Sequence, residues 1–105
     1  MYMAQNPNLS TMFRQLSNRQ EILQKCITML EYGLSIEKMN GHIFLSQGMF
    51  KKRCGKDYIE VMDSIAEEGF GLLIEDYAGL IIDEEPAKQA ISFYSQNIKQ
   101  ENKPI

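Results

Sequence analysis

Apolar side chains recur every three or four residues in two stretches near the start of the chain, which is the spacing of an amphipathic helix. The first stretch predicts a short helix or an arm over residues 1–16, and its apolar stripe is Leu9, Met12, Phe13 and Leu16. The second predicts the first helix of a domain that spans residues 17–99, and its stripe is Leu23, Cys26, Ile27 and Leu30. Ser17 and Gln20 have the spacing of a capping box at the start of this helix, and Gly33 is a suitable stop.

The middle of the chain predicts a strand followed by two short helices. Residues 42–45 are apolar and too few for a helix, so we expect an extended segment. Ser46 is placed to cap a helix that ends at Cys54, and Gly55 permits the left-handed backbone of a tight turn. A second capping-box pattern at Asp57 predicts another helix directly after this turn. Two short helices joined in this way form a helix-turn-helix.

The last third of the chain predicts a β-hairpin and a closing helix. Residues 70–74 and 80–82 are rich in β-forming side chains and lie a few residues apart, with Gly79 available for a positive φ in the turn. Pro86 suits the first turn of a helix because its missing N–H has no intrahelical partner there. The apolar stripe of this helix is Ala87, Ala90, Ile91, Tyr94 and Ile98. We expect residues 100–105 to form a disordered tail.

The size and composition fit one small domain, with 105 residues of which 44% are apolar and 24% charged. A domain of this size buries roughly two thirds of the surface of its unfolded chain, so a homodimer is expected because a second copy adds buried surface. Cys26 and Cys54 lack the spacing of a metal site or a disulfide framework, and we interpret them as buried thiols. No leader and no apolar run of about 18 residues is visible, so we expect a cytoplasmic protein that does not enter a membrane.

Charge is distributed unevenly along the chain. Residues 1–56 carry a net charge of +5 and residues 57–105 a net charge of -8, which together give the overall -3. This division indicates two surfaces of opposite sign with different partners, or an acidic surface that repels nucleic acid wherever the basic one is not docked.

The predicted order of elements resembles a winged helix-turn-helix domain over residues 18–98. The local match runs from Leu45 to Gly55 and from Tyr58 to a Glu-Glu-Gly-aromatic sequence that ends at Phe70. The fold class that this implies is α+β, mainly α, with additional helices at both ends. The chain is also similar to small plasmid-encoded conjugation accessory proteins of the TcpK type. The resemblance therefore implies a double-stranded DNA-binding protein of a mobile element, acting in plasmid transfer, partition or transcription regulation.

The chain departs from that family in the charge of the second helix of the motif, which usually enters the major groove. Residues 57–69 carry five carboxylates and no lysine or arginine, so this helix would repel phosphates. We therefore expect DNA to bind at a basic turn just before it, whose side chains are Lys51, Lys52, Arg53 and Lys56. The start of the following helix would add backbone N–H groups to this site. The alternative is that these four residues only solvate a helix end and complement its dipole.

Tyr77 at the tip of the hairpin is a further candidate for a phosphate contact. Glu75 and Asp76 precede it, so a solvated turn is the alternative. Ile91, Tyr94 and Ile98 of the last helix are the candidate dimer interface, and packing on the chain's own core is the alternative to that role.

A second function from another class fits the same acidic helix. It could dock on a basic protein, as in a phage-type inhibitor or an assembly subunit. Catalysis is not expected, because one histidine and two distant cysteines do not assemble a nucleophile with its base or a metal site. We interpret His42 as structural, and we expect neither a metal ion nor another cofactor.

Overall fold

The computed structural model describes the backbone of residues 7–102 and the side chains of residues 18–98. In chain order the elements are α1 (Pro7–Ser35), β1 (Ile43–Ser46), α2 (Gln47–Cys54), α3 (Tyr58–Glu67), β2 (Leu72–Leu73), β3 (Gly79–Ile82) and α4 (Glu84–Asn102). Two short 3₁₀ turns occupy Gly55–Asp57 and Glu75–Tyr77. This confirms an α+β fold that is mainly helical and carries a small antiparallel sheet.

Helix α1 is one continuous helix, so the predicted start at Ser17 was wrong. No glycine or proline stands between Pro7 and Gly33 to end the helix, and Ser17 therefore lies in its interior. Gly33 is also inside the helix, where an added Cβ would lie 3.1 Å from Ile43 Cγ2, so this glycine permits close packing on β1. The side chains of the predicted arm, residues 1–16, lie outside the described side chains.

The three strands form an antiparallel sheet in the order β1-β3-β2, and the predicted hairpin is confirmed. Ile43 and Leu45 point into the core, whereas Phe44 between them is 38% exposed. The prediction for Gly79 was wrong, because Asp76 and Tyr77 adopt the positive φ angles. A Cβ at Gly79 would lie 2.7 Å from Phe44 Cε1 and 2.8 Å from the Leu45 carbonyl oxygen, so this glycine is required for strand contact.

Helices α1 and α4 pack in antiparallel orientation. The ion pair of Lys38 with Glu84 joins the segment that follows α1 to the start of α4, and Cys26 within α1 contacts Tyr94 farther along α4. The buried core that they cover is Leu23, Cys26, Ile27, Met29, Leu30, Ile43, Leu45, Phe50, Cys54, Val61, Met62, Ile65, Leu80, Ile82, Ala87, Ala90 and Tyr94. The prediction of two buried, free thiols is confirmed.

The structure differs from the sequence-based predictions for α4 in the role of Tyr94 and in the end of the helix. Tyr94 is only 1% exposed, and its hydroxyl lies 2.8 Å from Ser64 Oγ, so its assignment to a dimer interface is corrected to the chain's own core. Ile91 and Ile98 are half-buried, packed against the same core. The helix continues to Asn102, into the predicted tail, and residues 103–105 lie outside the described part of the chain.

Within the described residues, no helix combines the length and the apolar character needed to cross a lipid bilayer.

Candidate nucleic-acid interface

The two ends of α2 are built as the sequence predicts. Ser46 caps α2, since its Oγ accepts a hydrogen bond from the backbone N–H of Met49 at 3.3 Å. Gly55 ends the helix with a φ of 60°, and its N–H donates to the carbonyl oxygen of Lys51. The left-handed backbone explains why glycine is favoured here, and it directs the chain into α3 after one 3₁₀ turn.

The four predicted DNA-binding cations of this turn do not share one direction. Successive residues of a helix differ by about 100°, so Lys51 and Arg53 project from nearly opposite sides of α2. Lys51 Nζ lies 5.3 Å from the centre of the Tyr58 ring, and the Arg53 guanidinium lies 3.6 Å from the centre of the Tyr32 ring. The aromatic contacts hold these two cations in place while leaving their charge unneutralised.

The lysines of the turn differ from the other lysines whose side chains the structure describes. Each of those others pairs with a carboxylate: Lys25 with Asp57, Lys38 with Glu84, and Lys88 with Glu84 and Glu85. Among the described residues, the exposed side chains of Lys51, Lys52 and Lys56 form no ion pair. The turn therefore presents positive charge that the chain does not neutralise itself.

The anion-binding corner predicted at the start of α3 is not formed as expected. The N–H of Tyr58 donates to the carbonyl oxygen of Gly55 inside the 3₁₀ turn, so this amide is already used. Asp57 does not cap α3, because its carboxylate accepts a hydrogen bond from Lys25 Nζ at 2.7 Å instead. The capping-box prediction at Asp57 was therefore wrong.

Tyr77 is held by the protein and does not project from the hairpin. Its hydroxyl donates a hydrogen bond to Asp63 Oδ1 at 2.8 Å, and this bond raises the pKa of Tyr77 above its ordinary value. The ring packs against the core, and the exposed residues of the connection are Glu75, Asp76 and Ala78. The donor of Tyr77 is engaged within the chain and its surroundings are acidic, which disfavours the predicted phosphate contact.

The outward face of α3 is acidic. Val61, Met62 and Ile65 are buried, and at about 100° per residue the side opposite to them carries Glu60, Asp63 and Glu67. Glu60 and Glu67 are exposed, and Asp63 is partly exposed. The charge pattern seen in the sequence therefore becomes one continuous acidic face of the helix.

A groove of about 490 Å³ lies between this face and α1. Its lining residues are Asn18, Arg19, Ile22, Leu23, Glu60, Asp63, Ser64, Glu67 and Glu68. The groove is not evident from the sequence, because the pairing of Ile22 with an acidic helix some forty residues later depends on tertiary packing. The strip of acids along residues 57–69 was the only signal of it in the sequence.

The remaining reactive side chains are His42 and the two cysteines, and each contacts other parts of the fold. His42 Nδ1 pairs with Asp83 beside the start of α4. Burial raises the pKa of Cys26 and of Cys54 to about 11, so both thiols stay protonated near neutral pH. No group of three or more histidine, cysteine or acidic side chains with the arrangement of a metal site occurs among the described residues.

Comparisons of this chain with protein-family models, with curated proteins and with solved structures find no match. The class of the protein therefore rests on its own order of elements and on the placement of its charges.

Proposed function

We propose that this chain is a winged helix-turn-helix domain that binds double-stranded DNA through the turn between α2 and α3. Three features support the class: the order of helices and strands, the sheet order β1-β3-β2, and the short α2–α3 pair joined at Gly55. The observation that carries the DNA-binding proposal is the set of exposed lysines, Lys51, Lys52 and Lys56, that have no carboxylate partner among the described residues. Such lysines gain affinity by releasing counterions from phosphates.

The proposed binding mode relies on the DNA backbone. Glu60, Asp63 and Glu67 would face the bases if α3 entered the major groove, and their charge opposes that docking. Contacts from Lys52 and Lys56 to phosphates position a protein on DNA without reading its sequence. We therefore expect binding that depends strongly on salt and weakly on DNA sequence.

The cellular role that we propose follows from the resemblance to small proteins of mobile plasmids. Plasmid transfer, partition and transcription regulation all require a small protein that marks duplex DNA. Binding as a homodimer would place two basic turns on one duplex, at half-sites separated by about one helical turn or a multiple of it.

Retention of a duplex oligonucleotide over a series of salt concentrations tests this proposal. Lys52→Gln with Lys56→Gln removes two proposed phosphate contacts, so we expect weaker binding and a loss of about 1.8 from the slope of log K against log salt. Gln89→Glu with Gln96→Glu on the exposed side of α4 changes the net charge equally and serves as the control. Equal binding by the two variants, or no retention by the wild type in dilute buffer, would contradict the proposal.

A further inference from the structure

The groove between α1 and α3 has an apolar floor and an acidic rim. Ile22 is half-buried and Leu23 is buried, and both line the groove from α1. Opposite them, α3 contributes Glu60 and Glu67 to the rim. A second depression of about 450 Å³ adjoins the first, and the two share Asn18, Ile22 and Glu60, so the feature extends along α3 toward its start.

Six carboxylates and two cations line this surface, so its net charge is negative. The carboxylates that line the two depressions are Glu21, Asp57, Glu60, Asp63, Glu67 and Glu68. The cations that line them are Arg19 and Lys56. Lys25 neutralises Asp57, but Glu60, Glu67 and Glu68 form no ion pair with any described residue. The surface therefore carries exposed negative charge, which attracts a partner of positive charge.

The arrangement of the acids favours a partner several residues long over a single ion. No three of the described carboxylates are close enough to hold a metal ion, and Glu60 and Glu67 lie about two helical turns apart. Nucleic acid is repelled by the same charges. A helical segment with lysine or arginine side chains along one stripe would place its cations along the rim, and an apolar side chain beside them would contact Ile22.

We propose that the α1–α3 groove binds a basic, amphipathic segment of another protein. Lysine or arginine side chains of that segment pair with Glu60, Glu67 and Glu68, and one apolar side chain covers Ile22. Lys56 lines the end of the groove nearest the α2–α3 turn, whereas Lys51 and Lys52 lie outside its lining.

Fluorescence anisotropy with a labelled helical peptide of about 15 residues, made of alanine, lysine and leucine with the lysines on one stripe, tests the proposal. A helix of that length spans about 22 Å, enough to cover α3. We expect Glu60→Gln with Glu67→Gln to weaken binding about fivefold to tenfold. Glu31→Gln with Glu37→Gln, two exposed acids outside the groove, should change it less than about twofold. Retention of duplex DNA by the Glu60 and Glu67 variant should not fall.

Two further measurements decide the role of the groove itself. A peptide with serine in place of leucine should bind more weakly to the wild type. The Ile22→Ser variant should bind the two peptides with equal affinity. Equal loss of binding in both pairs of acid variants would overturn the proposal, because it would show a response to net charge alone. The proposal would also be overturned if the wild type self-associates and the Glu60→Gln, Glu67→Gln variant does not, since a second copy would then occupy the groove.

Discussion

Lys25 Nζ lies 2.7 Å from Asp57 Oδ2 and also donates a hydrogen bond to the Cys54 carbonyl oxygen at 3.2 Å. One side chain of α1 thus ties together the end of α2 and the residue before α3. The contact explains why Asp57 does not cap α3, and it fixes the turn that lies between the basic residues and the acidic groove. Both side chains are less than one third exposed, so the pair is only partly screened by solvent.

Replacing Asp57 with alanine should destabilise the fold, because Lys25 would remain partly buried without its partner. We expect the free energy of unfolding, measured by urea denaturation, to fall by about 1 kcal/mol. Glu60→Gln removes an exposed acid that forms no ion pair with any described residue and should change the free energy of unfolding by less than about 0.5 kcal/mol. Equal stability of the two variants would show that the Lys25 contact does not stabilise the turn.

The same contact has a defined pH dependence. The hydrogen bond from Lys25 to Asp57 is the main reason that the pKa of Lys25 is raised above 10.5. The stabilisation is therefore complete below pH 10.5 and is lost as the pH rises through the folded-state pKa. Measured above pH 10.5, the difference in stability between wild type and Lys25→Met should shrink, whereas it should stay constant between pH 6 and pH 9.

The buried thiols make a second pH-dependent prediction. Burial raises the pKa of both Cys26 and Cys54 from 9.0 to about 11, so the unfolded chain loses these protons at lower pH than the folded chain. The free energy of unfolding should therefore decrease between pH 9 and pH 11. A Cys26→Ala, Cys54→Ala variant should show a shallower decrease over this range in urea titrations.

Thiol labelling checks the same burial independently. At pH 8 an aromatic disulfide reagent should react slowly with the native chain and rapidly with both thiols in urea. Ser92→Cys, which adds an exposed thiol on α4, serves as the positive control. Rapid labelling of the native wild type would contradict the placement of Cys26 and Cys54 in the core.

Ser64 and Tyr94 join α3 to α4 through a hydrogen bond of 2.8 Å between their hydroxyl oxygens. Tyr94→Phe should cost about 1 kcal/mol of stability, because Ser64 then loses its partner in a partly buried site. A double-mutant cycle with Ser64→Ala measures the coupling, which we expect to be at least about 0.5 kcal/mol. Additive effects of the two substitutions would show that the bond contributes nothing.

The sequence predicted a helix end correctly where the residue that caps the helix acts only on its near neighbours. Ser46 and Gly55 bound α2 as expected, because a hydroxyl cap and a left-handed glycine act within a few residues. Ser17 and Asp57 carry similar signals, but neither caps a helix. Uninterrupted helix formers extend α1 past Ser17, and the tertiary partner Lys25 takes the carboxylate of Asp57. Local signals were overridden where a longer element or a distant side chain competed.

The candidate site was predictable in its charges but not in its geometry. The sequence shows the lysines near residue 55 and the acids that follow them. It does not show that the Tyr77 hydroxyl donates a hydrogen bond to Asp63 or that Tyr94 belongs to the core. Both contacts depend on how α3 packs against other elements. Similarly, Gly79 was assigned to a turn, whereas its role is set by the ring of Phe44 on the adjacent strand.

Two glycines provide a matched test of that last point. Gly79→Ala places a Cβ within 2.8 Å of the Leu45 carbonyl oxygen, and we expect a loss of about 1 to 3 kcal/mol in stability. Gly48→Ala in α2 meets only Ser46 Oγ at 3.8 Å, and we expect a gain of up to about 1 kcal/mol from helix propensity. Thermal unfolding followed by circular dichroism distinguishes the two, and a neutral Gly79→Ala would contradict the close strand contact.

The homodimer remains a prediction, and with Tyr94 in the core it depends on Ile91 and Ile98. These half-buried side chains are seven residues apart on α4, so they lie on one side of the helix two turns from each other. If they form the interface, sedimentation should give twice the 12.1 kDa chain mass, and Ile98→Asp should halve it because a carboxylate would be buried between two copies. Gln89→Asp on the exposed side of α4 should leave the mass unchanged. A wild-type chain that sediments as a monomer at concentrations where it retains DNA would show that one basic turn is sufficient for binding.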